Sequence, residues 1–159
     1  MIDLTVTIDN AEINQRLGDL ALKLEDLSPV MRPIAAELLS GMKQAFVDEA
    51  DPKTGTPWQR LADSTIKQRT KLGYWPGKKL QRTGRLVSSL VSDSGPTFAI
   101  AGTNLVYATT QNFGANKGQF GTTKHGSPVP WGDIPPRRFA EISPATTSTV
   151  LDLIYQFLT

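Results

Sequence analysis

The sequence predicts an α+β fold: a small antiparallel sheet packed against an N-terminal helical hairpin, with a long irregular loop and a C-terminal helix. Three observations predict it. Apolar residues between Ile13 and Phe46 recur at helical spacing in two runs, separated by Ser28-Pro29. Residues 80–110 carry short runs rich in β-branched and small residues, broken by a glycine-containing turn. Residues 114–132 hold five glycines and two prolines, and one more helical run of apolar residues follows them. A chain of 159 residues suits a single domain, 1–159, with one core.

Residues 1–10 alternate Ile2, Leu4, Val6 and Ile8 with Asp3, Thr5, Thr7 and Asp9, the pattern of a half-buried strand. Residues 11–50 make the helical hairpin. Asn10 supplies an N-cap. Ile13, Leu17, Leu20, Leu24 and Leu27 then form a narrow stripe resembling a coiled-coil seam. Ser28-Pro29 ends this helix and opens the next, which Pro33 bends or truly starts. Ile34, Leu38, Met42, Ala45 and Phe46 give its buried face, ending near Ala50. Helices joined by so short a link pack antiparallel.

Residues 51–113 are a tryptophan-bearing loop plus a β-rich part. "DPKTGTPWQRLADST" is turn-rich, and Ser64 and Thr65 open a short basic helix closed by Gly73. Leu86 and Leu90 suggest a helical turn. Asp93, Ser94 and Gly95 read as a turn, and Phe98, Ile100 and Gly102 as a strand. Leu105–Ala108 reads as a further short strand or the end of one. Residues 114–133 are the extended loop, of a length usually kept for function. Residues 134–159 hold "IPPRRF" and the last helix, opened by Ser143-Pro144, with Val150, Leu151, Ile154, Phe157 and Leu158 on its apolar face.

Composition excludes several classes. There is no cysteine, hence no disulfide and no thiolate metal site. No apolar run approaches the ~20 residues of a membrane span. The first residues include acids and lack a basic flank, unlike a signal peptide. Catalysis finds little support. The single histidine, His125, lies in the glycine-rich loop with no neighbouring group to orient it. Asp48, Glu49 and Asp51 cluster at a helix end and could serve a metal-dependent enzyme, but no second ligand set accompanies them. No phosphate loop, nucleophile elbow, zinc spacing or dinucleotide fingerprint appears. No cofactor is expected.

Charge is distributed unevenly. Residues 1–51 hold ten acids and four bases, a net −6; residues 52–159 hold thirteen bases and five acids, a net +8; together they give the chain's +2. Residues 64–92 contain Lys67, Arg69, Lys71, Lys78, Lys79, Arg82 and Arg85 and no acid. Such asymmetry suits either a phosphate partner or copies of the chain docking basic face to acidic face. The segment 67–85, with Tyr74 and Trp75, is the basis of an alternative reading as a nucleic-acid-binding module.

In "GDIPPRRFAEIS" the prolines hold the chain extended and stiff. Such a segment either plugs Ile134 and Phe139 into the core on the way to a helix, or displays arginine and an aromatic to a partner at low entropic cost.

Four spaced elements carry a resemblance. They are "DPKTGTPWQRL" (Pro52, Gly55, Trp58, Leu61), "LQRTGRLVSSL" (Leu80, Thr83, Gly84, Leu86, Ser89), "YATTQNFG" (Tyr107, Ala108, Phe113, Gly114) and "IPPRRF" (Ile134, Pro135, Arg137, Phe139). In this order they resemble the phage virion morphogenesis family, the Mu-type G-like tail completion and head–tail joining proteins. The resemblance covers roughly residues 45–142. Gln111 and Asn112 stand where that family has histidine and glutamine, and Arg138 stands where it has proline.

The resemblance implies a structural phage or prophage protein and no enzyme. It implies a homo-oligomeric ring, a hexamer by family expectation, acting as tail terminator or neck connector subunit. The expected location is the head–tail junction of the virion, after assembly in the host cytoplasm. Expected partners are further copies of itself, other head–tail connector and tail proteins, and packaged DNA by proximity, with no membrane. Contact with neighbouring subunits is expected at Arg137, Arg138, Phe139, Phe113, Lys78, Lys79 and Arg82, with the long loop reaching across. Trp58, Gly84, Tyr107, Ile134 and Pro135 are expected to shape the motif. Trp58 reads as a core plug, Gly84 as a tight turn or a close backbone approach, and Tyr107 as packed with its hydroxyl at a rim.

Overall fold

The computed structural model describes residues 10–159, so the strand predicted for 1–10 lies outside the described residues apart from Asn10. In chain order the elements are α1 (Ala11–Glu25), α2 (Ser28–Asp48), α3 (Asp63–Lys71), α4 (Arg85–Ser88), β1 (Val91–Gly95), β2 (Phe98–Gly102), α5 (Ala108–Phe113) and α6 (Pro144–Leu158). The mixed helix and sheet composition and the N-terminal hairpin agree with the sequence.

The long helix α2 is the centre of the fold. Its buried residues, Val30, Ile34, Ala35, Met42, Ala45 and Phe46, follow the helical period and make one apolar face. Pro29 sits in its first turn, where a missing N–H costs nothing. The helix runs through Pro33 and ends at Asp48, with Glu49 in left-handed conformation (φ 52°) as its C-cap. Both strands and α6 pack against α2. Ser143 caps α6, its hydroxyl accepting from the Thr146 amide at 2.9 Å.

The sheet is one antiparallel hairpin with Val91 opposite Gly102 and Gly95 opposite Phe98. Asp93, Ser94 and Gly95 were expected to turn. They belong to β1, and Pro96-Thr97 makes the turn, since proline needs no ladder N–H. Leu105–Ala108 was expected as strand. Instead the Ala108 amide closes a turn on Leu105 O, and Tyr107, with helical backbone angles, opens α5. The threonines of "ATT" raise strand propensity, but the turn and helix bonds decide.

The predicted irregular loop is ordered by its own backbone. Phe120 donates to Val129 O at 2.8 Å, Val129 to Gly121 O at 2.8 Å, and Thr123 to Ser127 O at 2.8 Å. The glycines punctuate a folded-back excursion whose two limbs pair with each other. Trp131 and Phe120 nevertheless stay exposed.

The core gathers Met42, Ala45, Phe46, Trp58, Leu86, Leu90, Ala108 and Phe139. Phe46 meets Trp58 edge-on at 5.5 Å and Phe139 at 5.1 Å between ring centroids. Burying one such ring contributes roughly 1.5–3 kcal/mol. The first helix takes no part: α1 has no buried residue, and the stripe residues Leu17 and Leu24 are 58% and 55% exposed.

Candidate functional site

The four sequence elements, spread over roughly a hundred positions, meet around Phe46 and Phe139. Trp58 fills the core and reaches past it, its indole Nε1 donating to Arg138 O at 2.9 Å. Its amide donates to Glu49 O at 2.7 Å, fixing the loop to the end of α2. Leu86 of α4 enters the same cluster. Gly84, immediately before α4, has φ +73° with open space where a Cβ would stand, so the position needs a left-handed backbone and not close approach.

The third and fourth elements are stitched together along their backbones. Ala115 and Ile134 exchange two amide bonds, at 2.9 and 2.7 Å, and the Arg137 amide donates to Gln111 O at 2.9 Å. A Cβ on Gly114 would stand 2.6 Å from Ile134 O, so this approach admits only glycine. Asn112, 3% exposed, completes the seam: its Oδ1 accepts from the amides of Phe139 (2.9 Å) and Ala140 (3.1 Å). One side-chain carbonyl thus satisfies two backbone donors that the extended "PPRRF" chain leaves without a sheet partner. Sequence reasoning marked Asn112 only as a departure from the family pattern. It sits outside any apolar period, and no signal in this chain marks it.

This geometry corrects one expected interface position, Phe139, and recesses another, Arg137, into the wall of a cleft. Phe139, 2% exposed, is a core ring, and Arg137, 6% exposed, lies inside the subunit with Nη2 donating to Gln59 O at 3.3 Å. The stiff segment inserts Phe139 and leaves Arg138 outside, where it pairs with Glu141 at 3.1 Å. Ile134 and Pro135 are half-buried beside the seam. Phe113 and Tyr107 are exposed at either end of α5.

Part of the basic segment closes the end of α2. Lys78 Nζ donates to Val47 O at 3.2 Å and Gln81 Nε2 to Phe46 O at 2.7 Å, satisfying carbonyls at the negative end of the helix. The Lys79 amide bonds Glu49 Oε1, and Lys79 Nζ lies 3.4 Å from Glu49 Oε2. Arg69, nearly buried, donates to Lys78 O at 2.9 Å. Lys67, Lys71, Arg82 and Arg85 stay exposed, with Arg82 5.9 Å from the Tyr74 ring centroid.

The acidic cluster is likewise structural. Glu49 holds Lys79, and Asp51 Oδ1 accepts from the amides of Lys53 (2.8 Å) and Thr54 (3.2 Å) in the turn before Trp58. Asp48 accepts from Gln44 at 2.8 Å. Among the described residues no group of three histidine, cysteine or carboxylate side chains is placed to hold a metal. No helix among them is long and apolar enough to cross a membrane.

Comparison with known proteins identifies relatives over most of the chain. The profile of the phage virion morphogenesis family matches residues 8–159. A capsid assembly protein, G, of Escherichia phage Mu is 31% identical over 153 residues, covering 96% of this chain and 92% of that protein. The Mu-like prophage FluMu G protein 2 of Haemophilus influenzae is 30% identical over 153 residues, covering 96% and 94%. No solved structure matches the chain. The profile match over residues 8–159 and the two relatives at about 30% identity lead to one conclusion: this chain belongs to the phage virion morphogenesis family.

Proposed function

We infer that this chain is a non-catalytic structural subunit of virion assembly. In this reading several identical copies form a ring at the head–tail junction and complete the tail or join it to the head. Family membership and the relative named for capsid assembly support a structural role in assembly. The observation that carries the oligomeric reading is α1. It is an amphipathic helix of 15 residues with no buried residue, and its leucine stripe faces solvent. Solvated leucines gain nothing for the isolated fold, and an unpaired apolar stripe marks an interaction surface. The last helix adds exposed Leu151, Tyr155 and Leu158, and the folded-back loop adds Trp131 and Phe120. A subunit with an acidic helical end and a basic loop end docks head to tail, and head-to-tail contact closes into a ring when its rotation permits.

Imaging of particles made without this protein tests the reading. The expected result is filled heads lacking functional tails, restored by the chain supplied in trans. Normal infectious particles, or failure of head assembly itself, would overturn the junction assignment.

A further inference from the structure

Two arginines are buried against a cleft that holds almost no negative charge. A cavity of about 350 Å³ is lined by Arg69, Arg82, Arg85, Tyr107 and Gln111 among others. It adjoins one of about 400 Å³ lined by Arg137, Asp133 and Ile134, and the two share Thr65, Arg69, Leu80 and Gln111. Arg137 Nε is buried with no hydrogen-bond partner. The carboxylates nearby are committed elsewhere. Asp133 accepts from the Lys117 amide at 2.7 Å, Glu49 is bound to Lys79, and Asp63 pairs with Arg60 at 3.1 Å. Burial disfavours the charged form of Arg69, Arg82 adds repulsion, and the Glu49 carboxylate offsets part of it. Burial likewise disfavours charged Arg137, and Arg69 adds repulsion there. Guanidinium does not escape by losing its proton, so the cleft keeps an excess of positive over negative charge.

We propose that this cleft is a carboxylate-binding site, filled by Asp19 and Glu25 of α1 from a second copy of the chain. The proposal rests on the oligomeric reading above and names the polar contact within it. Guanidinium groups match carboxylates in a planar, two-bond geometry. On α1, Asp19 and Glu25 are exposed, and neither forms an ion pair among the described residues. Residues 1–51 carry the net negative charge that residues 52–159 lack.

Charge exchange tests this at the rim, where the fold is not at risk. Arg82→Glu places a carboxylate beside Arg69 in the same subunit. The expected result has two opposite parts: thermal stability rises, and the concentration needed for assembly, read by native mass spectrometry and by incorporation into particles, rises roughly tenfold or more. A second chain carrying Asp19→Arg and Glu25→Arg assembles poorly alone. It restores assembly when mixed with the Arg82→Glu chain, because each joint then has one complementary pair. Wild-type assembly by Arg82→Glu, or no restoration on mixing, overturns the proposal while leaving the oligomeric reading intact. If the wild-type chain itself never assembles or enters particles, that reading fails instead, and unchanged stability in Arg82→Glu would then dismiss the anion deficit as well. Retention of a short DNA duplex by the wild-type chain but not by Arg82→Glu would assign the cleft to phosphate and overturn the carboxylate.

Discussion

The motif seam and α1 treat their apolar residues in opposite ways. Around the seam Phe46, Trp58 and Phe139 are almost wholly enclosed, and the backbone groups of an extended, proline-bearing strand are tied down by Asn112, Gln111 and Ala115. In α1 a comparably apolar stripe encloses nothing. Stability of the subunit therefore resides in the seam, and the surface left unfinished resides in α1. Residues that look alike in sequence, apolar and regularly spaced, do different work in the two regions.

The contrast breaks most visibly at Phe139. Phe139→Ala removes a ring packed on Phe46 and should cost about 3–5 kcal/mol, read as a large drop in the denaturation midpoint. A loss near zero would mean that the seam is not the core. Asn112→Ala comes next. It leaves the amides of Phe139 and Ala140 without their acceptor and should cost about 2 kcal/mol, with faster amide exchange confined to residues 137–140. Gly84→Ala meets no atom, so its cost is conformational alone, about 1 kcal/mol.

The smallest effect concerns the α1–α2 junction. Hydrogen bonds from the Ser28 hydroxyl and then its amide hold the Asp26 carboxyl below its ordinary value. A depressed carboxylate stabilises fully above the ordinary value and loses its contribution as pH falls through the lowered one. The Ser28 amide signal should therefore titrate in acid, and Asp26→Asn should remove that titration without changing the core.

Much of the seam was legible because its parts carry strong local signals. Prolines stiffen 134–136, glycine marks positions 84 and 114, and Trp58 asks to be buried. The helical period placed α2 and α6. Side-chain direction on the stiff segment was not legible. That Arg137 and Phe139 point inward and Arg138 outward depends on Asn112 and Trp58, which lie 25 and 79 positions away from Arg137 and reach it only through the fold. Nor did the basic run reveal that Lys78 caps a helix while Lys79 holds the Glu49 carboxylate, since a cation over carbonyl or carboxylate oxygens and one over phosphates look the same in sequence. The helical stripe of α1 was legible, but a stripe does not say whether its partner is the same chain or another.

Changing Leu17 and Leu24 together to serine separates the two regions most directly. Thermal stability of the subunit should stay within about 0.5 kcal/mol of wild type, because neither side chain is buried there, while assembly and incorporation into particles are lost. A large fall in stability with assembly preserved would place α1 in the subunit's own core and contradict the account.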